Sequence, residues 1–525
     1  MSADSSYKLN SSTKSLGLIF LACLSVLIIY SCKDTSITGS FKDNLPPKTH
    51  LTINEVNRSG ANRLSSQISV SWWGDDPDGY IIGYEYSFND ENNWRYTHRT
   101  DSVFVLPIPV GNDTSDVVFR IRAIDNDSLR DITGASVVFP IKNSKPTIVY
   151  KGTEIPSDTT YSIFNFGWQL ADIDGLGNIS RIEVELNESN NWVTISPEES
   201  FMTVNIANDK TAQADGDVYF GLNYRNAGVQ LNGFQINGDN KLVIRAIDNA
   251  GAISVADTVK WFIKEQTSRI LVLHDYATLT ADTFKKLHID AIEAAGISTY
   301  DLITITDGQI LTGSKVTLSS ALPRVIDPTL VKMMAKWDFI YFFSSDLNRN
   351  VTYLQEMTTE FMNKGGKIFV NIQMSRLETA DALFSFFPMQ AFASLPDSVD
   401  NNNDGVFDAA SNATNFRLPI NRYATSENAG WDSLRVKRTI TGVSPMVPAA
   451  GVTVLYKVPF QYQVPSFPRA RNVEFLGSQA VCVKNAESNI IYFSLDFNDV
   501  EVPGQANLGA LVQKLCVDEL GFSSN

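Results

Sequence analysis

Hydrophobic and polar residues alternate with a period of two in many short runs between residues 48 and 266. Residues 68–72 read Ile-Ser-Val-Ser-Trp, and residues 182–186 read Ile-Glu-Val-Glu-Leu. Turn-forming Gly, Asp and Asn residues separate these runs. The pattern is typical of antiparallel strands that bury one face and expose the other. Two such sheets packed face to face form a β-sandwich, so the sequence predicts all-β modules in this part of the chain.

The same motifs occur twice and in the same order. The first copy contains Trp-Trp-Gly-Asp-Asp-Pro-Asp-Gly at residues 72–79 and Asn-Asn-Trp at 92–94. The second contains Trp-Gln-Leu-Ala-Asp-Ile-Asp-Gly at 168–175 and Asn-Asn-Trp at 190–192, and both copies close with Arg-Ala-Ile-Asp-Asn. An internal repeat of this kind predicts two copies of one fold.

The repeated pattern resembles the fibronectin type III-like and Ig-like modules of bacterial surface proteins. The resemblance covers residues 48–145 and 146–266, and it implies two β-sandwiches in tandem. The second copy is longer than the first. Its residues 208–240 are rich in Asn, Asp and Gly, and they are predicted to form a long loop.

Each copy carries an acidic turn, Asp76–Gly79 in the first and Asp172–Gly175 in the second. We expect tight turns in which Asp side chains accept local backbone N–H bonds and Gly adopts positive φ. Calcium binding is the alternative. Four tryptophans at matching positions are expected to pack in the core or on a sheet, and a sugar-binding platform is the alternative. They are Trp72, Trp94, Trp168 and Trp192.

The pattern changes near residue 266, where continuous apolar runs begin to alternate with helical stretches. The apolar runs cover residues 269–274, 339–343, 367–371 and 489–495, and the helical stretches cover about 280–295, 351–363, 375–387 and 507–520. Alternating strands and helices predict right-handed crossovers around a buried sheet. The chain is therefore predicted to be multidomain, with two all-β sandwiches followed by an α/β three-layer domain with a mostly parallel sheet. This domain is expected to cover residues 267–525, with an insertion at about 392–475.

The α/β pattern resembles the class I glutamine amidotransferase-like (flavodoxin-like) fold. The features that carry the resemblance are the opening strand Arg269–His274, the run Trp337–Phe343, the Gly-Gly-Lys-Ile-Phe-Val turn and strand at 365–370, and the closing run Ile490–Asp496. The resemblance implies a catalytic cysteine at an elbow after the central strand. Here that strand continues into Asn-Ile-Gln-Met-Ser without a cysteine, so no catalytic residue is predicted.

Three polar residues are the candidates for a ligand site in this domain. His274 and Asp275 follow the opening strand, and Asn371 ends the central strand. Open α/β sheets bind ligands beyond the carboxyl ends of their strands, so these side chains are placed where a ligand is expected. The alternative for His274 is a hydrogen-bonded histidine at a strand end.

The insertion contains a candidate calcium loop. Its sequence resembles the Asp-x-Asn-x-Asp-Gly loops of EF-hand and dockerin-type proteins, in which oxygen ligands at alternate positions converge on the ion. Ser411 replaces the bidentate Glu of an EF-hand. A solvated Asn/Asp loop is the alternative. The candidate ligands are Asp400, Asn402, Asp404, the Val406 carbonyl and Asp408.

Residues 1–31 are typical of an export signal. A polar start is followed by an apolar run at 16–30, which is short for a membrane span. The run ends in Ile-Tyr-Ser-Cys, which resembles the bacterial lipobox and implies acylation of Cys32 and cleavage before it. Residues 32–47 are polar and carry two prolines, which favours a flexible tether. The alternative is an uncleaved N-terminal anchor.

Charge narrows the possible partners. The chain carries 43 basic and 58 acidic residues, a formal net charge of −15. Loss of Lys8, Lys14 and Asp4 with residues 1–31 leaves 41 basic and 57 acidic residues, or −16. Such a surface repels nucleic acid phosphates, so no nucleic acid partner is expected. Cys482 and Cys516 are the remaining cysteines outside the signal and the acylation site, and we expect buried thiols, with a disulfide as the alternative.

These observations predict an outer membrane lipoprotein on the periplasmic or cell-surface side, held to the membrane by its lipid. The preferred hypothesis is a non-catalytic protein in which two sandwiches form a stalk that presents an α/β domain to a ligand, a glycan or an envelope protein. Two alternatives remain open: a hydrolase acting on a glycan or peptide, and a structural component of an envelope assembly. Calcium is the only cofactor considered.

Overall fold

A computed structural model of the chain describes residues 42–53, 58–59, 63–276, 281–305, 327–344, 351–374, 382–397, 400, 406, 414–464 and 470–523. The chain forms two compact units. Unit 1 falls within residues 1–55, 69–103 and 117–139, and unit 2 within residues 56–68, 104–116 and 140–525. The described residues are mostly β, in several sheets. None of the helices formed by the described residues is long and apolar enough to cross a membrane.

The first repeat contributes strands that pair mostly antiparallel, with β3 and β9 in parallel. Its described strands are β1 (Lys48–Ile53), β2 (Arg58–Ser59), β3 (Arg63–Ser65), β4 (Gln67–Asp75), β5 (Ile81–Phe88), β6 (Arg95–Thr97), β7 (Asp101–Val105), β8 (Thr114–Asp125) and β9 (Ala135–Lys142). In unit 1, β1 pairs antiparallel with β4, and β5 pairs antiparallel with β6 and β8. Trp72 is buried and packs against Tyr84 and Phe119, with ring centroids 6.3 and 6.2 Å away.

The second repeat forms two facing sheets within unit 2. Its strands are β10 (Thr147–Tyr150), β11 (Thr159–Thr160), β12 (Ile163–Ala171), β13 (Ile179–Leu186), β14 (Trp192–Ile195), β15 (Phe201–Asn205), β16 (Gln213–Phe220), β17 (Arg225–Gln235), β18 (Gly238–Asp248) and β19 (Asp257–Ile263). One sheet has the order β10-β12-β15-β16-β17 and the other β11-β19-β18-β13-β14. Trp168, Ile182, Val184 and Leu242 lie in the core between them. The apolar face at 182–186 is buried as predicted, but the other face is not exposed, because Glu183 and Glu185 are only 7% and 8% exposed.

The prediction of a long loop at residues 208–240 is wrong, because most of this stretch forms the hairpin β16–β17. Alternate residues such as Val218, Phe220 and Leu231 are buried, which the many Asn, Asp and Gly residues obscure in the sequence. The polar residues occupy exposed positions and turns. Gly233 has a φ of +94°, so this glycine permits a local irregularity that a residue with a side chain resists.

The C-terminal region alternates strands and helices, continues as a long run of strands and ends in a helix. Its elements are β20 (Ile270–Asp275), α1 (Ala281–Ala294), β21 (Asp301–Thr304), α2 (Pro328–Met334), β22 (Phe339–Ser344), α3 (Val351–Met357), α4 (Thr359–Asn363), β23 (Lys367–Ile372), β24 (Met389–Phe392), β25 (Phe416–Arg417), β26 (Tyr423–Ala424), β27 (Leu434–Val436), β28 (Met446–Pro448), β29 (Thr453–Val464), β30 (Arg471–Lys484), β31 (Ile490–Phe493), β32 (Val500–Glu501) and α5 (Gly509–Val512). Short 3₁₀ turns lie at Leu176–Asn178, Ala382–Ser385 and Phe497–Asp499, and α5 continues as a π-helix over Gln513–Glu519.

The main sheet of this region is mixed rather than mostly parallel. Strands β21, β20, β22, β23 and β31 pair in parallel in that order. Strand β30 then pairs antiparallel with β31, and β28, β24, β29 and β25 extend the sheet antiparallel. The prediction treated the insertion as a separate excursion. Its long hairpin β29–β30 instead joins the edge strand β31, which antiparallel strands can do without a crossover helix.

Candidate functional site

The sequence-predicted site lies at the carboxyl edge of the parallel strands. His274, Phe343 and Asn371 occupy the same level on β20, β22 and β23, so His274 and Asn371 share a face with a phenylalanine position between them. Asp275 is level with Ser344, one position further along, and therefore faces the other side of the sheet. The sheet thus places the three predicted residues along one edge but does not bring their side chains into one group.

His274 is enclosed by aromatic rings and is 1% exposed. Its ring centroid lies 5.7 Å from that of Tyr276 and 5.1 Å from that of Phe343. Neither ring nitrogen makes a hydrogen bond with the residues that the structure describes, so the expected hydrogen-bonded histidine is not found there. Burial lowers the pKa of His274 to about 4; the charge of Lys285 reinforces the effect and that of Asp282 opposes it. The imidazole is therefore neutral near pH 7.

Asp275 and Asn371 are also buried and take part in local bonding. The Ser344 hydroxyl donates to the Asp275 carbonyl oxygen at 3.2 Å and to its Oδ2 at 3.3 Å. The Asn371 Nδ2 donates to the carbonyl oxygens of Phe493 and Leu495, at 2.9 and 2.8 Å. Asn371 therefore ties β23 to the end of β31. None of the three predicted residues presents an open polar surface to solvent.

The other predicted site residues are only partly described. Cys32, Asn402, Asp404 and Asp408 lie outside the described residues, so the acylation site and most of the calcium loop remain predictions. Asp400 is described, and its Oδ1 lies 3.9 Å from an Arg471 guanidinium nitrogen. In the part of the chain that the structure describes, no three His, Cys, Asp or Glu side chains are grouped in a way that suits a metal ion.

The second acidic turn, Asp172–Gly175, forms as predicted, whereas in the first turn Gly79 is not at positive φ and the Asp76 carboxylate makes no hydrogen bond of good geometry with the described residues. The Asp174 backbone N–H donates to Asp172 Oδ1 at 2.8 Å, as expected of an Asx-type turn. The Ser144 backbone N–H donates to Asp174 Oδ2 at 2.5 Å. Gly175 has a φ of +95°, so the glycine supplies the positive φ that the turn requires. The structure supports the predicted turn at this position.

The four tryptophans pack as predicted. Trp72 and Trp168 are buried in their modules. Trp94 and Trp192 lie on sheet surfaces, each covered by an arginine whose guanidinium carbon is 4.1 Å (Arg122) or 3.7 Å (Arg245) from the ring centroid. These rings are therefore engaged in packing and cation–π contacts rather than free to form a platform.

A cavity that the sequence did not reveal lies between the second module and the C-terminal region. Its volume is about 360 Å³. We call it the lysine-lined cavity. Its lining consists of Ile163, Asn205, Ala207 and Tyr224 from the second module, and Lys332, Lys336, Glu360 and Lys364 from α2, α4 and the residues that follow them. Lys332 lies in α2 and Lys336 lies just beyond its end. No pattern in the sequence indicates that Lys364 and Tyr224 lie beside them.

The charged groups of the cavity are unequally paired. The Glu360 carboxylate forms ion pairs with Lys332 Nζ at 2.6 Å and with Lys364 Nζ at 3.2 Å. Lys336 Nζ instead donates to the Ser162 hydroxyl and to the Ile206 carbonyl oxygen. Three lysines thus face one carboxylate, which leaves a formal charge of +2 on a protein that is strongly acidic as a whole.

No family model matches the chain, and no curated protein matches it. The similar solved structures are β-sandwich modules. The fibronectin(III)-like modules of Clostridium thermocellum CbhA match at 14% identity, with 41% of this chain and 95% of that chain covered and a TM-score of 0.16. A tetra-tandem repeat in the extending region of a large adhesion protein matches at 12% identity, over 42% of this chain and 50% of that chain, with a TM-score of 0.16.

Carbohydrate-binding modules of the β-sandwich superfamily match at 9% identity, over 34% of this chain and 59% of that chain, with a TM-score of 0.15. TM-scores of this size carry no argument about ligand or activity. The sandwich architecture therefore stands on the strand pairing described above.

Proposed function

We propose that the chain is an outer membrane lipoprotein that works by binding a ligand or partner and not by catalysis. Its two β-sandwich modules act as a stalk, and the C-terminal region carries the binding surface on the periplasmic or cell-surface side. The observation that carries this proposal is the close packing of the second module against the C-terminal region. A stalk that presents a domain in a fixed orientation needs such a contact.

The packing is both apolar and polar. Tyr161 and Ile163 belong to the same apolar cluster as Leu330 and Trp337, and the Tyr161 ring meets the Trp337 ring edge-on at 4.9 Å. The hydroxyls of Thr203 and Thr329 are 2.8 Å apart and buried. Because these groups leave water together, parting the second module from the C-terminal region would expose apolar surface and unpaired hydroxyls.

The state of the two described cysteines supports binding over catalysis. Cys482 and Cys516 are free and buried, and burial raises the pKa of both thiols well above the usual range. A thiol of this kind is a poor nucleophile because the thiolate is the reactive form. His274 is enclosed, and its pKa lowered to about 4 by burial makes it a weak base for activating a nucleophile at the same edge. The C-terminal region would then be an amidotransferase-like domain without its catalytic cysteine.

Membrane attachment and ligand recognition complete the proposal. Acylation of Cys32 would anchor the mature chain, and residues 32–47 would act as its tether. The proposed partners are a glycan or an envelope protein, and calcium would be held by the loop that begins at Asp400. Each of these elements rests on the sequence.

Two measurements test the proposal. Mass spectrometry of the protein purified from membranes is expected to show a mature start at an acylated Cys32; residues 1–31 still attached, or a free thiol at that position, would refute the anchoring. A pull-down from a membrane extract, with the chain starting after Pro47 and with or without calcium, is expected to recover an envelope component. Release of a cleaved glycan or peptide in the same assay would instead show a hydrolase.

A further inference from the structure

We propose that the lysine-lined cavity binds a small anion that carries a phosphate or carboxylate group. The inference deepens the proposed binding function and rests on it, since it names a ligand class and a location. The site is formed by two parts of unit 2, so the bound anion would touch both the stalk and the presented region.

The size of the lysine-lined cavity suits a small molecule. A volume of about 360 Å³ lies within the range of roughly 300–1,000 Å³ that is common for small-molecule sites. The walls come from β12, β15 and the β16–β17 turn on one side and from α2 and α4 on the other. The cavity is thus built by elements distant in sequence, and a ligand of the size of a single sugar unit fits the space.

The charged side chains of the lysine-lined cavity favour an anion. Glu360 is shared by two lysines and can offset only one of them. No carboxylate within the described residues lies within ion-pair distance of Lys336, whose Nζ donates to two neutral oxygens, the Ser162 hydroxyl and the Ile206 carbonyl. Burial lowers the pKa of Lys336, an effect that Asp209 opposes and Lys210 reinforces. An anion in the cavity would supply the counter-charge that the protein does not.

The buried Tyr224 hydroxyl offers a further donor, because it makes no hydrogen bond of good geometry with any residue that the structure describes. Burial raises the pKa of Tyr224, Tyr219 and Glu360 reinforce the shift, and a side-chain interaction with Asn205 opposes it, so the phenol remains a neutral O–H donor. The ring is held in place by stacking on Tyr219 at 4.0 Å and by Lys332 Nζ at 5.1 Å from its centroid. An acceptor oxygen of a bound anion would satisfy the hydroxyl.

The test is calorimetric titration of the full chain, purified in detergent at low ionic strength. The probes are glucose 6-phosphate, glucuronate and, as the neutral control, glucose. We expect saturable binding of at least one of the two anions and none of glucose. The anion that binds more tightly identifies whether phosphate or carboxylate is preferred. If neither anion binds more tightly than glucose, the inference is wrong.

Variants that are expected to change the anion affinity in opposite directions test whether the anion binds in the lysine-lined cavity. Lys364→Gln removes a cation whose side chain is 59% exposed, and Tyr224→Phe removes the unused donor; each is expected to weaken binding threefold or more. Glu360→Gln removes the competing carboxylate and is expected to strengthen binding. A structural disturbance would weaken all three, so weaker binding by Glu360→Gln contradicts the site. Lys286→Gln, on the exposed face of α1, is the matched control and is expected to bind as the unaltered chain does.

The outcome is independent of the test of the proposed function. A failed pull-down with normal titrations leaves the cavity as an anion site in a protein of another role. If a partner is recovered normally but neither anion binds, the proposed anion site is wrong, and the proposed function of binding a partner is retained. Thermal melting of each variant confirms that it is folded before titration.

Discussion

In the first module, Trp72 is 2% exposed and its Nε1 donates to the Arg99 carbonyl oxygen at 2.8 Å. In the second module, Trp168 is fully buried and its Nε1 donates to the Glu199 carbonyl oxygen at 2.9 Å. The two modules therefore bury the same ring and satisfy its polar atom in the same way. The repeat in the sequence thus specifies a repeated structural arrangement and not only a similar composition.

The correspondence extends to a hydrogen bond that holds the segment before each module. The Asn44 side chain donates to Asp125 at 2.7 Å, and the Asn143 side chain donates to Asp248 at 2.6 Å. In the second module the bond is buried, and Asn178 in turn donates to Asn143 Oδ1 at 3.0 Å. The second copy has kept the repeated arrangement and enclosed it more completely.

The modules differ in what they add to this common design. The second has the hairpin β16–β17, and its residues Tyr161, Ser162 and Thr203 make the contacts with the C-terminal region. The comparison teaches that the repeated motifs build the module, whereas residues outside the motifs attach it. Parallel substitutions in the two copies can test that division.

The largest expected effect is the loss of a core tryptophan. Trp72→Ala and Trp168→Ala should each lower the free energy of unfolding by about 3–5 kcal/mol, because each leaves a large cavity and an unpaired carbonyl. Urea unfolding followed by circular dichroism measures the change. Trp73→Ala, at a ring that is 52% exposed, is the control and should cost about 1 kcal/mol or less. A several-fold difference between the two core variants would show that the copies do not share one design.

A smaller effect concerns the N-terminal cap of α2, the helix against which the second module packs. Asp327 caps α2, and its Oδ1 accepts the Leu330 N–H at 3.0 Å. Burial raises the pKa of Asp327 to about 6, while backbone N–H groups oppose the shift. The unfolded chain deprotonates first, so this group contributes stability below about pH 4 that is lost as the pH rises to about 6. Between pH 4 and pH 7 this group should lower the free energy of unfolding by at most about 3 kcal/mol.

The variant Asp327→Asn keeps a capping oxygen and removes the titration. Melting temperatures at pH 4, 5, 6 and 7 should fall more steeply for the unaltered chain than for the variant. Asp239→Asn, at an exposed position of β18, is the control and should not change the profile. Parallel profiles for the unaltered chain and Asp327→Asn would contradict the argument.

Loss of the Asn44–Asp125 or the Asn143–Asp248 hydrogen bond should lower the free energy of unfolding by about 1–3 kcal/mol. Asn143→Ala leaves Asp248 buried without this donor, so it should cost more than Asn44→Ala, whose bond is only partly buried. Chemical denaturation of the two variants under identical conditions gives the comparison. If Asn44→Ala lowers the free energy of unfolding as much as Asn143→Ala or more, burial of the hydrogen bond does not make it stronger in the second module.

The sequence predicted the parts of the fold that local patterns determine. Alternation identified β4 and β13, and the repeat identified both core tryptophans. It missed β16–β17, because buried Val218 and Leu231 stand among polar residues that face solvent. Strand β12 is buried on both sides at residues 163–168, and the sequence analysis made no prediction for this stretch before Trp168. One side lies in the sandwich and Ile163 packs with the C-terminal region.

The candidate site was harder to predict for a related reason. Position at a strand end correctly placed His274 and Asn371 on one edge, but exposure depends on the residues that cover that edge. The lysine-lined cavity depends on chain segments more than 100 residues apart, such as those of Tyr224 and Lys332. A single sequence carries no local signal for such a meeting.

The smallest expected effect is the sharpest test of the shared design. Arg122 stacks on Trp94 and binds Glu85 in the first module, and Arg245 stacks on Trp192 and binds Glu183 in the second, with Nη2–Oε2 distances of 2.7 Å in both. Replacing either arginine by lysine keeps the charge but loses the planar group that stacks and donates two bonds at once.

Arg122→Lys and Arg245→Lys should therefore each cost about 0.5–1 kcal/mol, and by nearly the same amount, because the two arrangements match in partner and distance. Equilibrium unfolding with each arginine variant, repeated in a Trp94→Leu or Trp192→Leu background, isolates the stacking contribution. If that contribution is present in one module and absent in the other, the similar geometry of the two copies does not reflect similar energetics. The sequence repeat would then specify shape alone, and the attachment of the second module would have altered its interior.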